Sequence, residues 1–224
     1  MTVKGICALA LCMVVAGTAS AEKVPVHGDT YAPAGSCDTT DYKSFSGDGD
    51  IIIPDCDPNG ASQSVATDAD GATIDDVVLD VEIAHTWSGD LRVWLSYDMG
   101  CDGSAEAGPV AALCRPALSG CDGSGCCGCS AGIGGLYQFS DDAAVPLAED
   151  CVAVDPGCYS TAVDSPAPLS AFDGMDKGGC FDLFVADGAC ADTGAVTSWT
   201  VHVKNGGGTV PTEDTSWSQI KAKF

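Results

Sequence analysis

The sequence predicts an all-β sandwich stapled by disulfides, and three observations carry that expectation. Apolar and polar residues alternate at period two in several short stretches, the pattern of strands with one face on a core and the other toward water. Glycine and aspartate punctuate the body too often for helices, with 28 glycines in 224 residues. The 14 cysteines are a density suited to an exported, cross-linked chain.

Along the chain, the first element is an export signal over residues 1–21. Lys4 precedes an apolar run from Ile6 to Ala16, and Ala19-Ser20-Ala21 is the small-residue ending that signal peptidase accepts. A bulky Leu9-Ala10-Leu11 before Cys12 argues against a lipoprotein. Residues 22–47 are polar and rich in Pro, Gly and Ser, and read as a linker that Cys37 ties down; order is expected from about Ile51. Val77, Leu79, Val81 and Ile83 share one strand face, and Leu91, Val93, Leu95 and Tyr97 share another. Between them lies His85-Thr86-Trp87-Ser88-Gly89-Asp90. His85 has the inward parity of Ile83, so it is expected to cap the core. Val77–Thr86 and Leu91–Tyr97 are expected to pair as a hairpin through Ser88-Gly89-Asp90. Phe181, Leu183 and Val185 form a later apolar face, as do Trp199, Val201 and Val203. The triple glycine from Gly206 opens a flexible tail, 205–224. No internal repeat is visible, and the span between linker and tail suits one domain.

Cleavage after Ala21 removes Cys7 and Cys12, and 14 less two leaves 12 cysteines, an even set sufficient for up to six disulfides. Zinc is the rival for Cys121, Cys126, Cys127 and Cys129, but two separated CxxC knuckles are missing and an oxidising compartment favours S–S bonds. Loss of Lys4 takes the net charge from -23 to -24. Nine basic against 32 acidic residues leave no basic patch for nucleic acid. After the leader no run of about 18 apolar residues follows, so no membrane span is expected. The acidity suits solubility, or a divalent cation such as calcium, which takes several carboxylate and carbonyl oxygens.

Hydrolase patterns are weak. No G-x-S-x-G occurs, Ser62 has no nucleophile context, and histidine is scarce. Asp192-Thr193-Gly194 matches the aspartic-protease triplet but lacks the second copy that a shared-proton dyad needs. It reads as a turn in which Asp192 accepts N–H bonds and Gly194 takes a positive φ.

Three segments in order carry a family resemblance: Ile53-Pro54-Asp55-Cys56-Asp57-Pro58-Asn59-Gly60; Thr73-Ile74-Asp75-Asp76-Val77 leading to His85-Thr86-Trp87-Ser88-Gly89-Asp90-Leu91; and Leu169-Ser170-Ala171-Phe172-Asp173-Gly174 followed by Gly179-Cys180-Phe181-Asp182-Leu183, Asp187 and Asp192-Thr193-Gly194-Ala195-Val196-Thr197-Ser198-Trp199. Over residues 48–204 the chain resembles the P domain, or Homo B domain, of kexin/furin-type proprotein convertases and bacterial subtilases. The resemblance implies a jelly-roll-like sandwich and a structural His85. Phe181 stands where the family usually has tryptophan, and Cys56, Cys180 and Cys190 stand where it usually has other residues. A Cys-rich insertion at about 101–129 enlarges the middle. The subtilisin domain that carries the family's catalysis is not in this chain, so the resemblance implies no enzyme.

Bacterial members can bind calcium. Ser140-Asp141-Asp142 resembles the family's acidic segment, and Asp187 and Asp192 bracket another loop, so Asp141, Asp142, Asp187 and Asp192 are the expected calcium ligands. Asp68-Ala69-Asp70-Gly71 looks like half a calcium loop. The expected function is a secreted, non-catalytic binding or stabilising module in the periplasm, on the cell surface or outside the cell. Its partner would be an extracellular protein, a protease or a glycan, met through Trp94 or the insertion. The alternatives are an accessory domain to a separate subtilisin-like serine endopeptidase, a structural envelope or matrix component, and a cryptic hydrolase using His85 or Asp192.

Overall fold

The computed structural model describes residues 35–114, 132–145, 147, 155–162 and 165–209. The expected signal peptide, the cysteines at 121, 126, 127, 129 and 151, and the tail beyond 209 lie outside them. Ten strands follow one another: β1 (Lys43–Ser46), β2 (Ile51–Ile53), β3 (Asp57–Ala66), β4 (Ala72–His85), β5 (Leu91–Asp98), β6 (Ala107–Cys114), β7 (Ile133–Phe139), β8 (Gly157–Tyr159), β9 (Cys180–Asp187) and β10 (Gly194–Thr209). Two short 3-10 turns, Ser88–Asp90 and Leu169–Phe172, are the helical elements described.

The strands form two sheets. One runs β1-β10-β4-β7-β8, with β2 also on β10; the other runs β3-β9-β5-β6. Strands β1 and β2 act as one interrupted edge, pairing with residues 200–203 and 194–196 of β10. The inner faces are those read from alternation. Val77, Leu79, Val81 and Ile83 from β4, Leu91, Val93, Leu95 and Tyr97 from β5, Phe181, Leu183 and Val185 from β9, and Trp199, Val201 and Val203 from β10 join one core cluster. Burial of this apolar area is the main force holding sheet to sheet, at about 25 cal/mol per Å² removed from water.

Four expectations about layout change. First, β4 and β5 do not form a hairpin. β4 is flanked on both sides, by β10 and β7, and β5 lies between β9 and β6 in the other sheet. His85 to Asp90 is therefore a crossover between sheets. Parity fixes which face is buried but not which strand is the neighbour, and β4 has no free edge to offer. Second, β1 lies within the stretch read as a linker, 22–47. Third, β10 continues through Gly206, Gly207 and Gly208 to Thr209, with register shifts on either side of Gly206. Backbone pairing needs no side chains, so glycine composition alone concealed this end. Fourth, residues 107–114 of the supposed insertion form β6, and Val110, Ala111, Ala112 and Leu113 are all buried. Its outer side is covered where the Ala162 N–H donates to the Ala111 carbonyl and the Ala111 N–H donates to Ser165 Oγ.

Three disulfides staple the described residues: Cys37–Cys158, Cys56–Cys190 and Cys101–Cys180. Cys114 is disulfide-bonded as well. Such bonds persist in oxidising compartments, which is consistent with an extracellular chain. Among the described residues, no helix is long and apolar enough to cross a membrane.

Candidate functional site

The two sheets meet at one end through a histidine and an aspartate. His85, last residue of β4, and Asp187, last of β9, both follow inward parity. His85 Nε2 lies 3.3 Å from Asp187 Oδ2, with neither side chain exposed to solvent. His85 Nδ1 lies 2.9 Å from the Trp87 carbonyl and 3.2 Å from the Trp87 N–H. Asp187 Oδ1 accepts from the Ala189 N–H at 3.0 Å. Both ring nitrogens thus face protein groups, and His85 is buried. Room for it comes from Gly194, where a Cβ would lie 2.3 Å from His85 Cδ2 and 2.4 Å from the Ala84 carbonyl. The glycine of the Asp192-Thr193-Gly194 triplet serves close approach of β10. The positive φ in that loop belongs to Ala191, at 86°. Asp192 Oδ1 accepts from the Thr86 hydroxyl at 2.8 Å, which ties the loop to the crossover. Ser62 sits mid-strand in β3, opposite Phe184, rather than on a turn.

The four expected calcium ligands are not brought together. Asp187 and Asp192 lie at the His85 end of β4. Asp141 follows β7 at its other end, where Phe139 pairs with Leu79. Its two oxygens accept the Leu169 and Ser170 N–H groups at 3.0 and 2.7 Å, capping the second 3-10 turn. Asp142 neighbours it. The offset along β4, from about Val77 to His85, is roughly 25 Å at the usual strand rise. Among the described residues, no three histidine, cysteine or carboxylate groups converge as a metal site would. The half-loop at Asp68 and Asp70 is taken up by lysines: Asp68 pairs with Lys43 and Asp70 with Lys177.

Lys177 is the feature that composition and periodicity passed over. It precedes β9 in a glycine-rich segment, where its N–H donates to the Ala72 carbonyl at 2.9 Å. Its side chain is completely buried, yet its Nζ donates to Asp70 Oδ2 at 2.6 Å and to Asn205 Oδ1 at 2.9 Å. The Phe45 ring centroid lies 6.0 Å from Nζ, so the cation also faces an aromatic surface. The ammonium holds the Asp70 carboxyl below its ordinary value, with the Ala72 N–H adding to the effect. Compared with protein families and with curated proteins, the chain matches none. The functional reading therefore rests on geometry.

Two further features matter, one in the core and one at the surface. Burial pushes the Tyr97 hydroxyl up to about 12, so this core phenol stays protonated. It donates to the Asp176 carbonyl, beside Lys177. On the outer face of the six-stranded sheet, Ile52, Ala195, Ala84 and Gly134 stand side by side across β2, β10, β4 and β7. Ile52 is 71% exposed, and nearby Leu136 is 43% exposed. A shallow depression lined by His85, Thr86, Ile133 and Thr193 adjoins this row. Trp94, expected from sequence as a point of contact with a partner, is half-buried on the other sheet, 5.7 Å from the Phe184 ring and under Arg92.

Proposed function

We propose that the chain is a secreted, non-catalytic binding module that docks a partner protein on the outer face of its six-stranded sheet. The observation that carries this reading is the apolar row Ile52, Ala195, Ala84, Gly134, ending near Leu136. An outward row of small and apolar residues, four strands wide, gives a flat surface with little side-chain entropy to lose on docking. The disulfides hold that surface in a fixed shape. The enclosed His85 supports a module without acid–base chemistry at this end. The P-domain resemblance makes another extracellular protein, a protease included, the natural class of partner. It also adds calcium as a ligand. With the aspartates split between two ends, calcium would bind at each end separately and draw further oxygens from outside the four named residues.

The test is capture of extracellular proteins by the immobilised mature chain, beside Ile52→Asp and Leu136→Asp. Both positions are exposed, so melting temperatures are expected within about 2 °C of the parent, the range of neutral surface changes. Captured proteins are expected to be lost from both variants. Retention of the same proteins by both would overturn this docking face.

A further inference from the structure

An amine, a carboxamide and a carboxyl converge at the end of the sandwich opposite His85. Lys177 Nζ lies 2.6 Å from Asp70 Oδ2 and 2.9 Å from Asn205 Oδ1. The lysine side chain is wholly buried, while that of Asp70 is 42% exposed. Asn205 comes from β10, where the register with β4 shifts between Lys204 and Asn205. Such an irregularity can re-aim a side chain; Asn205 is exposed, whereas Val203 two residues before it is buried, and its amide oxygen still reaches Lys177 Nζ. The two residues stand 28 apart in sequence and meet only in the folded chain.

A buried ammonium usually needs a carboxylate, and Asp70 supplies it. The carboxamide is the additional group. It presents an electrophilic carbon one bond beyond the oxygen that Nζ already touches. Holding an amine against an amide in this way makes a slow bimolecular reaction unimolecular, with the large effective concentrations that orientation provides.

We propose that Lys177 and Asn205 become joined by an isopeptide bond, with Asp70 as the acid–base group. The ammonium first gives a proton to the Asp70 carboxylate across their hydrogen bond. The transfer runs against the lowered Asp70 carboxyl, so the neutral pair forms only transiently and the reaction is slow. The lone pair of the freed amine then attacks Asn205 Cγ, and the protonated Asp70 carboxyl polarises the amide oxygen. As the tetrahedral centre collapses, the new Nζ–Cγ bond remains, the Cγ–Nδ2 bond breaks, and Nδ2 leaves as ammonia. The ammonia carries off the proton as ammonium, and Asp70 returns to carboxylate. One amine and one primary amide thus become one secondary amide and one ammonia, with no oxidant or cofactor. The exposed side of Asp70 gives ammonia its way out. The reaction occurs once per molecule and ties the segment entering β9 to β10 of the other sheet.

Peptide mapping of the fully reduced, full-length purified chain tests this. The expected result is a mass lower than the sequence by one ammonia, no tryptic cleavage after Lys177, and a branched peptide joining Lys177 to Asn205. Asp70→Asn and Asn205→Ser are expected to yield only linear peptides. Asn205 precedes Gly206, and a cyclic imide formed at that bond would also lose one ammonia. The branch distinguishes the two, because the imide leaves Lys177 free for trypsin. An unlinked parent chain, or ammonia loss with linear peptides only, would overturn the cross-link. A branch that persists in Asp70→Asn would overturn the role of Asp70. The parent chain answers the first question even if a variant does not fold.

Discussion

Two buried basic side chains mark the two ends of β4, and they are partnered in opposite ways. His85, at the strand's last residue, meets Asp187 with both side chains sealed from water. Lys177, beside the first residue Ala72, meets a carboxylate that remains 42% exposed and an amide as well. Fourteen strand residues separate the ends, roughly 40 Å of chain. A sealed pair with no electrophile nearby can only hold the sheets together. A pair open to solvent on one side, with a carboxamide in contact, can react and release a small product. Burial of a basic side chain against a carboxyl group therefore says little by itself about function, whereas the third group in contact says a great deal.

The largest expected effect comes from breaking the sealed end. Asp187→Ala leaves His85 buried against a vacancy and removes the acceptor of the Ala189 N–H. The expected loss is about 3–5 kcal/mol, typical of removing one partner of a buried pair. Urea unfolding measures it. The double variant His85→Leu, Asp187→Leu is expected to recover much of that loss, because apolar side chains carry no desolvation cost there. If Asp187→Ala unfolds at the parent's midpoint, the pair does not fasten this end.

Next in size is the disulfide nearest that end. Cys56 and Cys190 are separated by 134 residues, a long loop whose closure in the unfolded chain is worth about 2–4 kcal/mol in typical cases. Replacing both cysteines with serine is expected to cost that much, and hydrogen exchange shows where. Protection should fall first around Ile83 to Thr86, while residues 74–77 stay protected at the lysine end. Equal loss at both ends would mean that the sheets open as one unit and the contrast between ends has no energetic content.

At the lysine end, Asp98 provides a finer probe. Burial raises its carboxyl, but N–H groups of Gly103, Gly100, Cys101 and Asp102 outweigh that and hold it below its ordinary value. A depressed folded value means that the stabilisation is present above the ordinary carboxylate range and is lost as pH falls through the depressed one. Asp98→Asn is expected to lower the melting temperature by a few degrees at neutral pH. The gap from the parent should close in acid. A gap that stays constant with pH would assign the effect to packing instead.

Much of this was legible in sequence, for a definite reason. The faces of β4, β5, β9 and β10 follow from period-two alternation because each strand has one side on the shared core. Inward placement of His85 follows from the same parity. Strand pairing does not follow: the crossover at Ser88-Gly89-Asp90 and a hairpin turn there have the same local composition. Strand β1 and the glycine end of β10 are held by backbone bonds that composition does not record. Lys177 and Asn205 belong to no periodic pattern, and their meeting depends on the register of β10. The aspartates were visible as acidic loops, but which end of the sheet each loop serves is set by topology, and topology sends them to opposite ends.

The smallest expected effect concerns that acidic surface. Asp173 follows the second 3-10 turn, and its carboxyl is held above its ordinary value, by burial first and then by the charges of Asp76, Asp75 and Asp141. The sign is opposite to that of Asp98. A raised folded value means that ionised Asp173 opposes folding at neutral pH, and that the opposition fades as pH falls through the raised value toward the ordinary one. Asp173→Asn removes the charge and keeps the shape, so it is expected to raise the melting temperature at pH 7, by about 1 °C or a little more, since the group is largely exposed and screened. The gain should shrink with added salt and vanish in acid. A fall in melting temperature at pH 7 would mean that the carboxylate holds a favourable contact which outweighs its repulsion from three neighbours. That would turn the acidic end from a cluster of repelling charges into one organised around a shared cation, and titration of calcium into the parent and into Asp173→Asn would then be expected to separate the two.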